Sequence, residues 1–242
     1  KAEGGWYKEN QEKLDEFYDR LVEIRHEMSQ KLGLSDFVEL GYYRMTRNCY
    51  DRNDIDRFRE AVRKYLVPVA DGIYREQAQR LGKTYPMSFA DNALQFRSGN
   101  PAPCGTPDDI VAHGKKFYDE LSPETSEFFG TMLDMELMDL LSTEGKAGGG
   151  YCTGIMDYKV PFIFANFNAT ADDVDVLTHE AGHAFQAYTS SRCHKVSSTV
   201  WGTAEQGEIP SMSMELFTYP WMEKFFGDKA DRYRIRHIEY AL

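Results

Sequence analysis

The stretch TADDVDVLTHEAGHAF, residues 170–185, sets His179, Glu180 and His183 in the spacing H-E-x-x-H. On a helix, residues four apart lie one turn above each other on the same face. Two imidazoles so placed can grip one Zn2+, and the glutamate after the first faces the neighbouring water. Zinc lowers the pKa of that water toward ~7 and polarises a carbonyl, while the carboxylate takes and returns the proton. The motif requires a helix, and the surrounding residues predict one. Thr170 and Asp173 make a capping-box-like pair, and Val174, Leu177, Ala181, Ala184, Phe185 and Tyr188 form an apolar stripe beside the histidines. Gly182 sits inside this helix, where glycine costs about 1 kcal/mol against alanine. Close approach of a neighbouring backbone is the expected reason.

Two histidines leave a catalytic zinc one protein ligand short. Downstream candidates are Cys193, His194, Glu205, Glu208 and Glu215. Cys193 and His194 stand just past the helix end and would need the chain to double back at once. Glu205 and Glu208 share a helical face, with Glu215 two turns beyond Glu208, so spacing leaves the first two open. Pro210 would be costly deep inside a helix, which puts Glu208 in the first turns or at a kink.

Upstream, EGKAGGGYCTGIMDYKVPFIFANFN, residues 144–168, carries five glycines and then β-prone residues. It predicts short strands over about 150–156 and 160–167, joined around Asp157–Lys159. No phosphate-loop spacing is present. Cys152 reads as a packed thiol, since no base accompanies it.

The first 80 residues predict helices. Leu14, Phe17, Tyr18, Leu21 and Met28 recur at helical spacing with Gly33 as a stop. A second periodic run from Ile55 is broken near Val67 by Pro68 and ends at Leu81 before Gly82. Residues 82–106 read as a long connection with a short strand at ALQFRS, residues 93–98. Thr106 and Ser122, each followed by proline, should cap helices over about 107–121 and 123–141. His26, His113 and His237 fit no ligand spacing and read as surface or structural residues. The run FTYPWMEKFF, residues 217–226, reads as core packing behind Glu208.

HEAGHAF, GKAGGGYC, DYKVPFIFANFN, DVDVLTHE and EIPSMSMELFTYPWM, in that order, resemble the M3 family of zinc oligopeptidases, specifically its oligoendopeptidase F branch. The resemblance is dense from Gly145 to Phe226 and looser through FVELGYYRM and LSPETSEFF. It implies a mainly α, multi-helix gluzincin-type metallopeptidase fold with a small β element beside the HExxH helix. It implies a zinc metalloendopeptidase acting on oligopeptides, with one Zn2+ per chain held by His179, His183 and Glu208 and with Glu180 as general base. The family's third ligand is a glutamate 25 residues after the second histidine, followed by serine three residues on; here these are Glu208 and Ser211. The family's edge strand along the cleft corresponds to Gly149, Gly150, Tyr151, Cys152 and Thr153. A peptide added there as a strand is gripped through its main chain, and glycines let its backbone approach.

The family pattern continues past Leu242 into a segment whose tyrosine and histidine donate to the tetrahedral oxyanion. Residues 1–242 therefore read as a single peptidase region, helical over 1–141 and zinc-binding over 142–242, within a longer chain. Loss of one oxyanion donor costs ~10²–10³ in rate, so the isolated chain is expected to bind zinc and hydrolyse peptides poorly or not at all. The rival readings are an aminopeptidase-type zinc hydrolase and a helical fragment with a structural zinc. The first wants a G-x-M-E-N-type anchor, which is absent from the sequence.

Lys+Arg 28 against Asp+Glu 39 gives a net charge of −11, with no dense basic cluster, which disfavours nucleic acid and anionic membranes as partners. Cys49, Cys104, Cys152 and Cys193 are scattered without a C-x-x-C pair, which fits a reducing, cytoplasmic setting. No apolar run of ~18 residues suggests a membrane span. No feature sets an oligomeric state.

Overall fold

The computed structural model describes residues 2–241. Two compact units are distinguishable, Lys1–Phe58 and Arg59–Leu242. The first holds helices α1 (Ala2–Glu9), α2 (Gln11–Lys31) and α3 (Phe37–Arg44) and the start of α4 (Arg52–Ala61). Gly33, at φ +73°, ends the α2 segment in the left-handed region that glycine tolerates. Asp36 caps α3 by accepting from the Glu39 N–H at 3.0 Å. The apolar stripe that predicts α2 is not core: Phe17, Tyr18 and Leu21 are exposed.

In the second unit α4 widens into a π-helical turn, Val62–Leu66, before α5 (Val67–Leu81). Pro68 lacks an N–H and crowds the preceding turn, and a wider turn relieves both problems. The expected break near Val67 thus takes the form of a local bulge. Helices α6 (Pro107–Leu121) and α7 (Pro123–Asp134) open on full capping boxes at Thr106 and Ser122.

Three strands follow: β1 (Met138–Leu141), β2 (Tyr151–Ile155) and β3 (Val160–Phe167), in spatial order β1-β3-β2. β1 runs parallel to β3, and β2 runs antiparallel to it with Cys152 opposite Ile163. Ile163, Ala165 and Phe167 alternate into the core, the period of a strand. Helix α8 (Ala171–Cys193) covers this face, and α9 (Ala204–Phe217) packs on α8; α10 (Met222–Phe226) and α11 (Ala230–Ala241) complete the unit. Phe117, Phe128, Leu177, Met222 and Phe225 meet in the resulting core. The fold is mostly helical with a small sheet, as expected. No described helix is long and apolar enough to cross a membrane.

Three local expectations are corrected. The segment 93–98 is not a strand: its carbonyls are taken by side chains, with Gln77 donating to Leu94 O at 2.6 Å and Arg80 to Gln95 O at 2.7 Å. The helix from Pro123 stops at Asp134 rather than 141. Glu136 at φ +53° turns the chain, the Leu137 N–H returns to Met132 O at 2.9 Å, and β1 begins. At the head of α8, Thr170 makes no side-chain cap bond. The Asp173 carboxylate instead accepts the N–H groups of Asn168 and Ala169, at 3.0 and 2.8 Å.

Candidate metal centre

Helix α8 stacks His179 over His183 with ring centroids 4.8 Å apart. Helix α9 crosses beside them and presents Glu208. Its Oε2 lies 3.2 Å from His179 Nε2 and 3.5 Å from His183 Nε2. One ligand atom from each residue falls within 4.8 Å of the others. Zinc with ligand bonds of about 2.0–2.1 Å has tetrahedral edges of about 3.3–3.4 Å, close to the two separations between Glu208 and the histidines. Ser211, fully buried one turn on, donates to Glu208 Oε2 at 2.9 Å and holds the carboxylate toward the histidines.

Such proximity depends on Gly182. A methyl group there would stand 2.5 Å from Ser211 Cα and 2.6 Å from Pro210 O. The α9 backbone therefore rests directly on α8 at the turn between the histidines. Pro210 lies inside α9, two residues past Glu208, which occupies the early turns of that helix.

The electrostatics are those of a crowded, half-buried site. Burial holds Glu180 above the usual carboxylate range, opposed by His179 and assisted by Glu208. For His179, burial is outweighed by the Glu215 hydrogen bond and charge, and its pKa rises. Burial and the charge of His179 lower His183. Glu215 takes His179 Nδ1 and His237 Nε2 on its two oxygens, each at 2.5 Å. Those bonds overcome burial and lower its pKa to about 2.

The profile of peptidase family M3 matches residues 118–237. A structure described as an oligoendopeptidase F from Bacillus anthracis str. Ames is 49% identical, with a TM-score of 0.92 over 98% of this chain. The chain belongs to peptidase family M3. It spans 43% of that relative's length. PZ peptidase A, in a structure with an inhibitor, is likewise 49% identical with a TM-score of 0.92, over 98% of this chain and 42% of its own. A structure described as a peptidase from Chlamydophila abortus, at 18% identity and TM-score 0.65 over 97% of this chain and 38% of its own, shares the fold. No curated protein matches the chain.

In this M3 chain the β element lies beside the candidate metal ligands. Gly150 precedes β2, and a Cβ on it would stand 3.1 Å from Val176 and 3.7 Å from Glu180 Oε1. Tyr151, Cys152 and Thr153 follow on β2, which is an outer strand of the sheet with β3 on one side; Gly149, at φ +93°, turns the chain into it. Cys152 is packed against the core, and burial, with the Glu180 charge, pushes its thiol up to about 12. Glu205, Cys193 and His194 are exposed and do not join the cluster.

His26 is exposed, and His113 packs edge-on against Phe225. His237 is buried and bonded to Glu215, one step from a predicted ligand. Nothing in the sequence marks that link, because it joins different helices through no local period. The aromatic run is core at Met222, Phe225 and Phe226, whereas Phe217 is exposed.

Proposed function

We propose that this chain is the catalytic region of a zinc-dependent endopeptidase that hydrolyses short oligopeptides. The observation that carries the reading is the convergence of His179, His183 and Glu208, with Glu208 Oε2 3.2 and 3.5 Å from the two histidine Nε2 atoms, close to the edge of a zinc tetrahedron. Zinc held there would supply Lewis acidity, polarising a peptide carbonyl and making water acidic enough to attack near neutral pH.

The chain's own residues do the rest. Glu180, the residue after His179, takes a proton from the attacking water onto its carboxylate. Its raised pKa lets it hold that proton and then deliver it to the leaving amine nitrogen. The free edge of β2 is the proposed seat for the substrate, paired as an added strand along Gly149–Thr153. Main-chain pairing suits peptides of varied sequence and requires them to be extended. Four free cysteines support a reducing, cytoplasmic setting.

Elemental analysis of the purified chain is expected to return one zinc per chain in wild type and Glu180→Gln alike, and none in a His179→Ala/His183→Ala double variant. In a quenched-peptide assay, Glu180→Gln should lower hydrolysis by about 10²–10⁴-fold. Absence of zinc from wild type would sink the metal assignment. Measurable wild-type hydrolysis that Glu180→Gln equals would sink the role of Glu180.

A further inference from the structure

Glu215 presents its two oxygens to histidines on different helices, His179 on α8 and His237 on α11. His237 is 5% exposed. Its other ring nitrogen, Nδ1, lies 2.7 Å from the Tyr219 hydroxyl. Tyr233 stacks on its face, ring centroids 5.7 Å apart at 26°. The imidazole is thus held on three sides by groups the proposed reaction does not use.

Donor and acceptor bookkeeping orders this chain. An ionised carboxylate only accepts hydrogen bonds, so both histidines must donate to Glu215. His179 does so through Nδ1–H, which leaves the Nε2 lone pair facing Glu208 and His183. His237 does so through Nε2–H, and its Nδ1 then accepts from the Tyr219 hydroxyl. Every bond from Tyr219 inward ends on Glu215. Without the His237 donor, Oε2 would lose its partner in a buried place, and the carboxylate would be free to turn away from His179.

We propose that His237, backed by Tyr219, is a positioning residue of the metal centre. It clamps the Glu215 carboxylate so that Glu215 holds the His179 ring with Nε2 toward the metal position. A carboxylate behind a ligating histidine is a general feature of such sites. A buried histidine and tyrosine locking that carboxylate from behind is a further layer, particular to the packing of α11 against this site. The inference rests on the zinc reading given above.

Side-chain reach supplies the test. Glutamine at 237 can place an N–H near the His237 Nε2 position, asparagine reaches only the Nδ1 position, and leucine has no donor. Zinc dissociation constants would be measured by competition with a chromophoric chelator for wild type, His237→Gln, His237→Asn and His237→Leu. Melting temperatures of the zinc-free forms would be recorded alongside. His237→Asn and His237→Leu should bind zinc about 10–100-fold more weakly, the usual cost of losing an outer-shell partner, while His237→Gln stays close to wild type. Should the leucine variant not fold, the Gln/Asn pair decides. Wild-type affinity in His237→Asn would overturn the proposal, as would affinities that follow zinc-free melting temperature with Gln no better than Asn. Those results leave the zinc reading standing, whereas a wild-type chain that binds no zinc removes both.

Discussion

Cys152 on β2 feels the charge of Glu180 on α8, and burial raises the pKa of both groups. For Glu180 the shift suits the proposed role of taking up a proton and then releasing it. For Cys152 it means a thiol that stays protonated near neutral pH and is a poor nucleophile. Mass-spectrometric mapping of iodoacetamide labelling at pH 8 should therefore find Cys49, Cys104 and Cys193, all exposed, modified well before Cys152. Because the thiolate is favoured only as pH approaches about 12, raising pH from 7 to 9 should leave Cys152 the slowest of the four. Early labelling of Cys152 would contradict its packed environment. At this scale His179, Glu180 and His183 were legible in the sequence, because one helical turn aligns them. The partners of Glu215 were not, since they arrive from helices far apart in the chain.

At the scale of elements, the contact between α8 and α9 decides whether Glu208 meets the histidines. The absent side chain of Gly182 lets the Pro210–Ser211 backbone lie on α8. Gly182→Ala would normally favour a helix by about 1 kcal/mol. Here the added methyl must push the helices apart, an overpacking cost of about 1–3 kcal/mol. Net loss of stability in urea unfolding is expected, together with weaker zinc binding as Glu208 moves away. A more stable variant with unchanged zinc affinity would show that the helices tolerate the methyl. Helix starts with a hydroxyl followed by proline, at Thr106 and Ser122, were readable because capping is a local bond. The end of α7 was not. No glycine or proline marks it, and Glu136 adopts its left-handed turn so that β1 can pair with a strand over 20 residues later.

For the molecule as a whole, zinc that binds the native chain and not the unfolded one must stabilise folding. At free zinc 100-fold above the dissociation constant the gain is about 2.7 kcal/mol. For a chain of this size that corresponds to a rise in Tm of about 5–10 °C. Chelation of the zinc-loaded chain should reverse the rise in a thermal melt, and stoichiometric zinc should restore it. A melt indifferent to both would mean that no metal engages the folded state.

The sequence by itself determined the register of the helix that carries His179 and His183, the capped starts of α6 and α7, and the glycine-rich approach to β2. Each follows from bonds and periods spanning only a few residues. Spacing left Glu205 and Glu208 open as third ligand, and family resemblance favoured Glu208. The packing of α9 on Gly182 is what brings Glu208, and not Glu205, to the histidines. Tertiary structure alone likewise set His237 behind Glu215 and β1 beside β3. Those contacts depend on how helices and strands pack across long stretches of chain, and a local pattern carries no record of that distance.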